Sequence, residues 1–102
     1  MKERHNPIDI AAQIEADIRR LTGKDINVDT RFEVAEPTDF FETCLYFDLL
    51  GYHIYTKSYY AHKVGLSRQA IDQKIRYNNL TAIKCRSEKL NKLELVAVRE
   101  EA

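Results

Sequence analysis

Between Lys57 and Arg76 the sequence KSYYAHKVGLSRQAIDQKIR sets Gln69, Asp72, Gln73 and Arg76 on one side of a helix and Ile71 and Ile75, four residues apart, on the other. Arg68 projects from the first turn of the same helix. A face made almost wholly of hydrogen-bonding groups suits the edges of base pairs: arginine forks onto guanine and glutamine onto adenine, in a groove wide enough to admit a helix. The free N–H groups at the start of the helix suit a phosphate. The chemistry implied is recognition rather than bond making.

The residues ahead of this helix read as a second helix and a sharp corner. Tyr60, Ala61 and Val64 recur at three- and four-residue steps and share one face for burial. Thr56 is placed to cap that helix and Gly65, which takes a left-handed backbone freely, to stop it. Leu66 is expected to plug the corner, and Ser67 to cap the helix that follows.

These residues carry a resemblance. The run AHKVGLSRQAIDQKI, followed by NNLTAIK, resembles the winged helix-turn-helix of excisionase-like and MerR-like DNA-binding proteins. In that family a small residue, then Gly four positions on, then Val or Leu, Ser and Arg lead into the recognition helix; here these are Ala61, Gly65, Leu66, Ser67 and Arg68. Leu80 and the segment 81–85 match the Leu and short strand that follow. The resemblance covers roughly residues 54–98 and implies double-stranded DNA as the partner, with the second helix in the major groove and the hairpin after it on the backbone. The chain departs from the family at Lys74, where relatives often have an aromatic, and at 86–91, which replaces a glycine-rich hairpin tip. On this reading Arg68, Gln69, Gln73 and Arg76 read bases, while Ser67, Lys74, Lys84, Arg86 and Lys89 hold the backbone.

Charge distribution agrees. The chain is formally neutral, yet residues 1–51 hold 6 Lys or Arg against 11 Asp or Glu, whereas residues 52–102 hold 10 against 5. From Tyr52 to Leu93 there are 9 basic residues, and the only acids are Asp72 and Glu88, so the basic field coincides with the two helices and the hairpin.

The elements that must position this face come before it. Asn6 as cap and Pro7 at the first helical position open a helix in which Ile10, Ile14, Ile18 and Leu21 form one narrow apolar stripe, closed by Gly23. Such a stripe serves either the chain's own core or the same stripe on a second copy. From Asp25 to Val34 the period changes to two, which predicts a half-buried strand, broken by the turn residues 36–39. Residues 40–50 are apolar nearly all round. As a strand they put Phe41, Leu45, Phe47 and Leu49 on one face, so the expectation is a hairpin with the preceding strand, although Asp39 and Glu42 have capping-box spacing. Residues 80–85 and 92–98 read as two strands joined by RSEKLN, the wing, and 99–102 as a tail with no structural duty.

The expected architecture is therefore α+β: a winged helix-turn-helix over residues 52–102, extended by an N-terminal helix and acidic β-hairpin over residues 1–51, the whole forming one compact domain. The N-terminal part is the expected surface for homodimerisation, through Ile10, Ile14, Ile18 and Leu21, or for a protein partner. Cys44 and Cys85 lack CxxC spacing and read as free, largely buried thiols. His5, His53 and His62 have no metal-ligand spacing, no glycine loop cradles a phosphate, and Ser67 lacks the surroundings of a nucleophile, so neither cofactor, metal nor enzymatic activity is expected. No segment is long and apolar enough for a membrane and the first residues lack a secretory pattern, so a cytoplasmic protein is expected. The function expected is sequence-specific DNA binding as a transcriptional regulator or excisionase-like architectural factor. The alternative is a protein-interaction module that binds a polymerase subunit or another regulator through the acidic half.

Overall fold

The computed structural model describes residues 7–99, in the order α1 (Pro7–Thr22), β1 (Arg31–Val34), α2 (Pro37–Leu49), β2 (His53–Thr56), α3 (Lys57–Val64), α4 (Arg68–Arg76), β3 (Thr81–Cys85) and β4 (Glu94–Val98). The class is α+β. One mixed sheet runs β1-β3-β4-β2, with β1 parallel to β3 and the other two pairings antiparallel.

Both central strands are apolar on both faces, and this divides the molecule into layers. On one face Ile83, Cys85 and Ala97 meet Phe32 and Val34 of β1 and lie under Ile14 and Ile18 of α1 and Phe40 and Phe47 of α2. On the other, Ala82 and Val96 meet Ala61 of α3 and Ile71 and Ile75 of α4, with Leu80 closing the cluster. Since neighbouring residues of a strand point to opposite faces, the pair Ala82 and Ile83 alone requires helices on both sides. The first core draws on both halves of the chain, so they are one body.

The N-terminal half departs from its expected form. Residues 40–50 are not a strand: Pro37 opens helix α2 at its first turn, and Phe40, Thr43 and Phe47 form its buried side at helical spacing. The Thr43 hydroxyl, fully buried, donates to the Asp39 carbonyl at 2.8 Å, so this polar position in the core is satisfied. The expected β-hairpin extension is therefore absent, and Arg31–Val34 pairs instead with β3, fifty residues downstream (Phe32 opposite Ile83, Val34 opposite Cys85). The strand is also shorter than the alternation from Asp25 suggests. The Asp25 carboxylate accepts from Asn27 N–H and its carbonyl from Val28 and Asp29 N–H, so a turn forms, leaving Val28 78% exposed.

Other expectations hold locally. Gly23 adopts φ 74° and closes α1, whose start falls at Pro7; the Asn6 cap, the N-terminal residues 1–5 and the acidic end 100–102 lie outside the described residues. Ile14 and Ile18 are buried in the chain's own core, so half of the stripe expected at a dimer contact is committed within the protomer. Ile10 stays largely open and Leu21 is half-buried. Arg99 has a role: its guanidinium donates to the Leu50 carbonyl at 3.1 Å and lies 4.9 Å over the Tyr52 ring, tying the end of β4 to the α2–β2 turn. Cys44 and Cys85 are free thiols; burial, and then the neighbouring Cys85 sulfur, push the Cys44 thiol up to about 11, which leaves it protonated and unreactive at neutral pH. Among the described residues, no helix is long and apolar enough to cross a membrane.

The helical register of α2 makes a sharp distinction. Phe47→Ala should cost about 3–5 kcal/mol of stability in urea unfolding, whereas Leu49→Ala should stay within about 0.5 kcal/mol. Equal costs would restore the strand, in which the two side chains share a face.

Candidate nucleic-acid interface

Helix α3 begins where strand β2 ends, and the Thr56 hydroxyl accepts from Tyr59 N–H at 3.1 Å, which converts the extended backbone into helix within one residue. Gly65 ends it in the left-handed region at φ 72°, and Leu66 N–H returns to the Ala61 carbonyl at 2.9 Å. The corner needs no plug: Leu66 and Val64 are both exposed, and Ala61 is the α3 residue buried against α4 and the sheet. Beyond the corner the Ser67 hydroxyl accepts from Ala70 N–H at 3.1 Å and starts α4. Its own O–H remains available to donate.

With Ile71 and Ile75 inward, α4 presents an outward ridge of Gln69, Gln73 and Tyr77, spaced by four residues, with Arg76 beside it; all four are exposed. Tyr77, 68% exposed, is the member that sequence reasoning missed, although stepping four residues on from Gln73 would have reached it. Lys74 is exposed on one flank of the ridge, and Arg68 and Asp72 occupy the other. Thus the four expected base readers are not all equivalent: Gln69, Gln73 and Arg76 cluster, whereas Arg68 turns toward the β3–β4 connection.

There Arg68 lines a cleft of about 550 Å³ between the starts of α3 and α4 and the connection, shared with Ser58, Lys84, Asn91 and Lys92. Arg68, Lys84 and Lys92 make no ion pair with any described residue, and together with Lys57 they outnumber the one carboxylate of the cleft, Glu94, which is paired with Lys57. The connection itself is no extended tip. Ser87 caps a single 3-10 turn at Glu88–Leu90, Asn91 and Lys92 take positive φ, and Leu90 and Leu93 pack back against the first core. Arg86 and Lys89 are exposed on this short turn, so Lys84, Arg86, Lys89 and Lys92 decorate one edge beside α4.

The single acid of α4 faces away from the ridge. Lys57 Nζ lies 2.9 Å from Asp72 Oδ1 and 2.9 Å from Glu94 Oε1, joining the first residue of α3 to the middle of α4 and the start of β4. Burial on its own would lower the Lys57 pKa. The bonds to Glu94 and Asp72 outweigh it and hold the ammonium above its ordinary value. Asp72, expected on the exposed face, is therefore a structural partner, and its charge is offset where it would oppose a polyanion.

The rings near α3 serve packing. Tyr55 stacks on Tyr59 at 5.6 Å and on Tyr60 at 5.7 Å, with Lys63 Nζ over its ring, tying α3 to β2. From the other side of the sheet, Thr30 bonds Asn78 at 3.0 Å and its carbonyl accepts from Ala82 N–H, which fixes the exit of α4 to β1. Among the described residues no three His, Cys, Asp or Glu side chains come together as a metal site.

No protein-family model, curated protein or solved structure matches this chain.

The Lys57 bridge can be tested by substitution and by pH. Lys57→Met should cost about 1–3 kcal/mol, because Glu94 is left with a largely buried, unpaired carboxylate. With a folded pKa above the ordinary 10.5, the lysine's contribution is fully present below pH 10.5 and disappears as pH rises through the folded value. The stability difference between wild type and Lys57→Met should therefore be flat from neutral pH to about 10 and shrink beyond it. A difference that already vanishes near pH 8 would rule out the bridge as its source.

Proposed function

We propose that this chain is a winged helix-turn-helix protein that binds double-stranded DNA with sequence preference, as a transcriptional regulator or excisionase-like architectural factor. The observation that carries the proposal is the uncharged and cationic ridge of α4, Gln69, Gln73, Tyr77 and Arg76, set beside a cleft in which cations outnumber carboxylates. In this reading α4 enters the major groove, and Gln69, Gln73 and Arg76 meet base edges. Arg68, Lys84 and Lys92 take a phosphate in the cleft, Lys74 one on the opposite flank, and Arg86 and Lys89 extend the backbone contacts as the wing. The Ser67 hydroxyl and the start of α4 add donors to a phosphate at the groove edge.

Several features support this division of labour. A base-reading group needs reach and freedom, and Gln69 and Gln73 have no intramolecular partner among the described residues. A phosphate contact needs positive field more than direction, and the cleft supplies it from three elements. One helix of this length touches few base pairs, so two copies on a two-fold site are expected, and the buried Ile14 and Ile18 direct their contact away from the α1 stripe.

Selection from a random duplex pool should return a short preferred site. Against that site Gln69→Ala or Gln73→Ala should cost about 1–3 kcal/mol and relax one base position. Arg68→Ala and Lys89→Ala should instead weaken all duplexes alike and lower the salt slope by about one unit each. If no duplex is retained at low salt, or if all four variants bind like wild type, the ridge is not a reading face.

A further inference from the structure

Helix α2 presents to solvent what its position does not require. Phe41, Leu45 and Leu49 are 55%, 54% and 60% exposed and stand four residues apart, so they form one continuous apolar stripe along the outward side. None of them is buried in either core, although the Phe41 ring meets the buried Phe40 edge to face at 5.5 Å. From Phe41 to Leu49 the stripe spans nine residues and runs about 12 Å, somewhat over two helical turns. Scattered exposed apolar residues are ordinary, but two leucines and a phenylalanine in register on one short helix are a contiguous patch of the kind that marks a contact surface.

The rim of the stripe carries a sign. Glu42 flanks it on one side, near Phe41 and Leu45, and Asp48 on the other, near Leu45 and Leu49, both exposed, and α2 contains no lysine or arginine. Beyond Glu42 lies Tyr46, whose hydroxyl is held above its ordinary pKa by partial burial and then by Asp17 and Glu42, a further mark of a negative field on this side. Of the arginines near α2, Arg20 is engaged by Asp17 at 3.4 Å and Arg99 by the Leu50 carbonyl and the Tyr52 ring at the C-terminal end of the helix.

We propose that this face of α2 docks a basic amphipathic helical segment of another protein, its apolar residues laid along Phe41, Leu45 and Leu49 and its lysines or arginines beside Glu42 and Asp48. A second copy of the chain fits less well, because two α2 helices face to face surround one apolar seam with four carboxylates and no cation from either helix. The patch is also small against the roughly 800 Å² per partner of a standard stable interface, which suits a helix of a few turns better than a dimer. DNA is excluded from this face by the same carboxylates. The proposal stands whether or not α4 binds a duplex, since α2 and α4 lie on opposite sides of the sheet.

The test uses the full chain and two labelled peptides of roughly 15 residues, the length at which an isolated helix becomes feasible. Both carry leucines at every fourth position, flanked in one by lysines and in the other by glutamates. The lysine peptide should bind at least about tenfold more tightly, with affinity falling as salt rises, and amide shifts in the protein should concentrate on α2. Phe41→Ser with Leu45→Ser should reduce binding at least about tenfold while the chain stays folded by circular dichroism, since neither side chain is buried. Glu42→Lys with Asp48→Lys should invert the preference toward the glutamate peptide. Absence of binding up to about 1 mM, equal affinity for the two peptides, or shifts mapping elsewhere overturns the proposal. So does a concentration-dependent dimer in sedimentation that Leu45→Ser abolishes, which would assign the stripe to a second copy.

Discussion

The arrangement depends on burial from both sides of two short strands. Ala82 and Val96 face one way, and Ile83, Cys85 and Ala97 the other, each almost wholly removed from solvent. A sheet of this kind cannot leave either face to water, and the chain meets the demand with helices from different ends of its sequence. The small side chains matter as much as the large ones. Ala82 under α4, and Ala61 at the contact of α3 with α4, let these short helices lie close to the sheet, so that two isoleucines suffice to seat α4. On the far side the space is filled by rings: Phe32, Phe47 and Tyr52 meet edge to face at 5.2 and 5.1 Å.

Seating α4 on so few apolar contacts leaves its orientation to polar groups. Lys57 is at the junction of strand and helix, held by the Thr56 cap, and from there its ammonium reaches both Asp72 and Glu94. Three elements are thus fixed by one side chain. The same bridge sorts the charges, since Asp72 and Glu94 are turned against a lysine while Arg68, Lys84 and Lys92 are left without an ion-pair partner among the described residues. A neutral chain thereby presents a positive edge without excess positive charge overall.

What the sequence made legible was what is decided locally. Thr56, Gly65 and Ser67 act on backbone groups within four residues of themselves, and they fold as their types dictate. The ridge of α4 followed from spacing alone, because Ile71 and Ile75 leave no doubt about which side is inward. The N-terminal half was decided by distant partners. In α2 the inward side holds Phe40, Thr43 and Phe47 while the outward side holds Phe41, Leu45 and Leu49, so periodicity carries almost no contrast, and alternation offered a false one. Strand β1 finds its partner across a helix-rich half of the chain, and nothing near Arg31–Val34 in sequence announces a parallel pairing with Thr81–Cys85. The turn at Asp25 was obscured for a related reason: its carboxylate competes for backbone N–H groups that an alternating pattern assigns to a strand.

The misleading feature of α2 and its most informative one are the same. A helix with an unambiguous inward side would have been read correctly, and it would have had nothing apolar left over. Folding alone selects against three large apolar side chains in register facing water, since they add little to the core and invite association. Their presence on the one helix that lacks any cation, on the face of the sheet opposite α4, separates two surfaces of contrary character by a single layer of strands. The sheet that both surfaces share, pinned at Thr30 to Asn78 and at Arg86 to Val34, keeps them apart without a linker. A ligand on either face therefore need not displace one on the other. The two proposed partners can thus be held at once by one small rigid body.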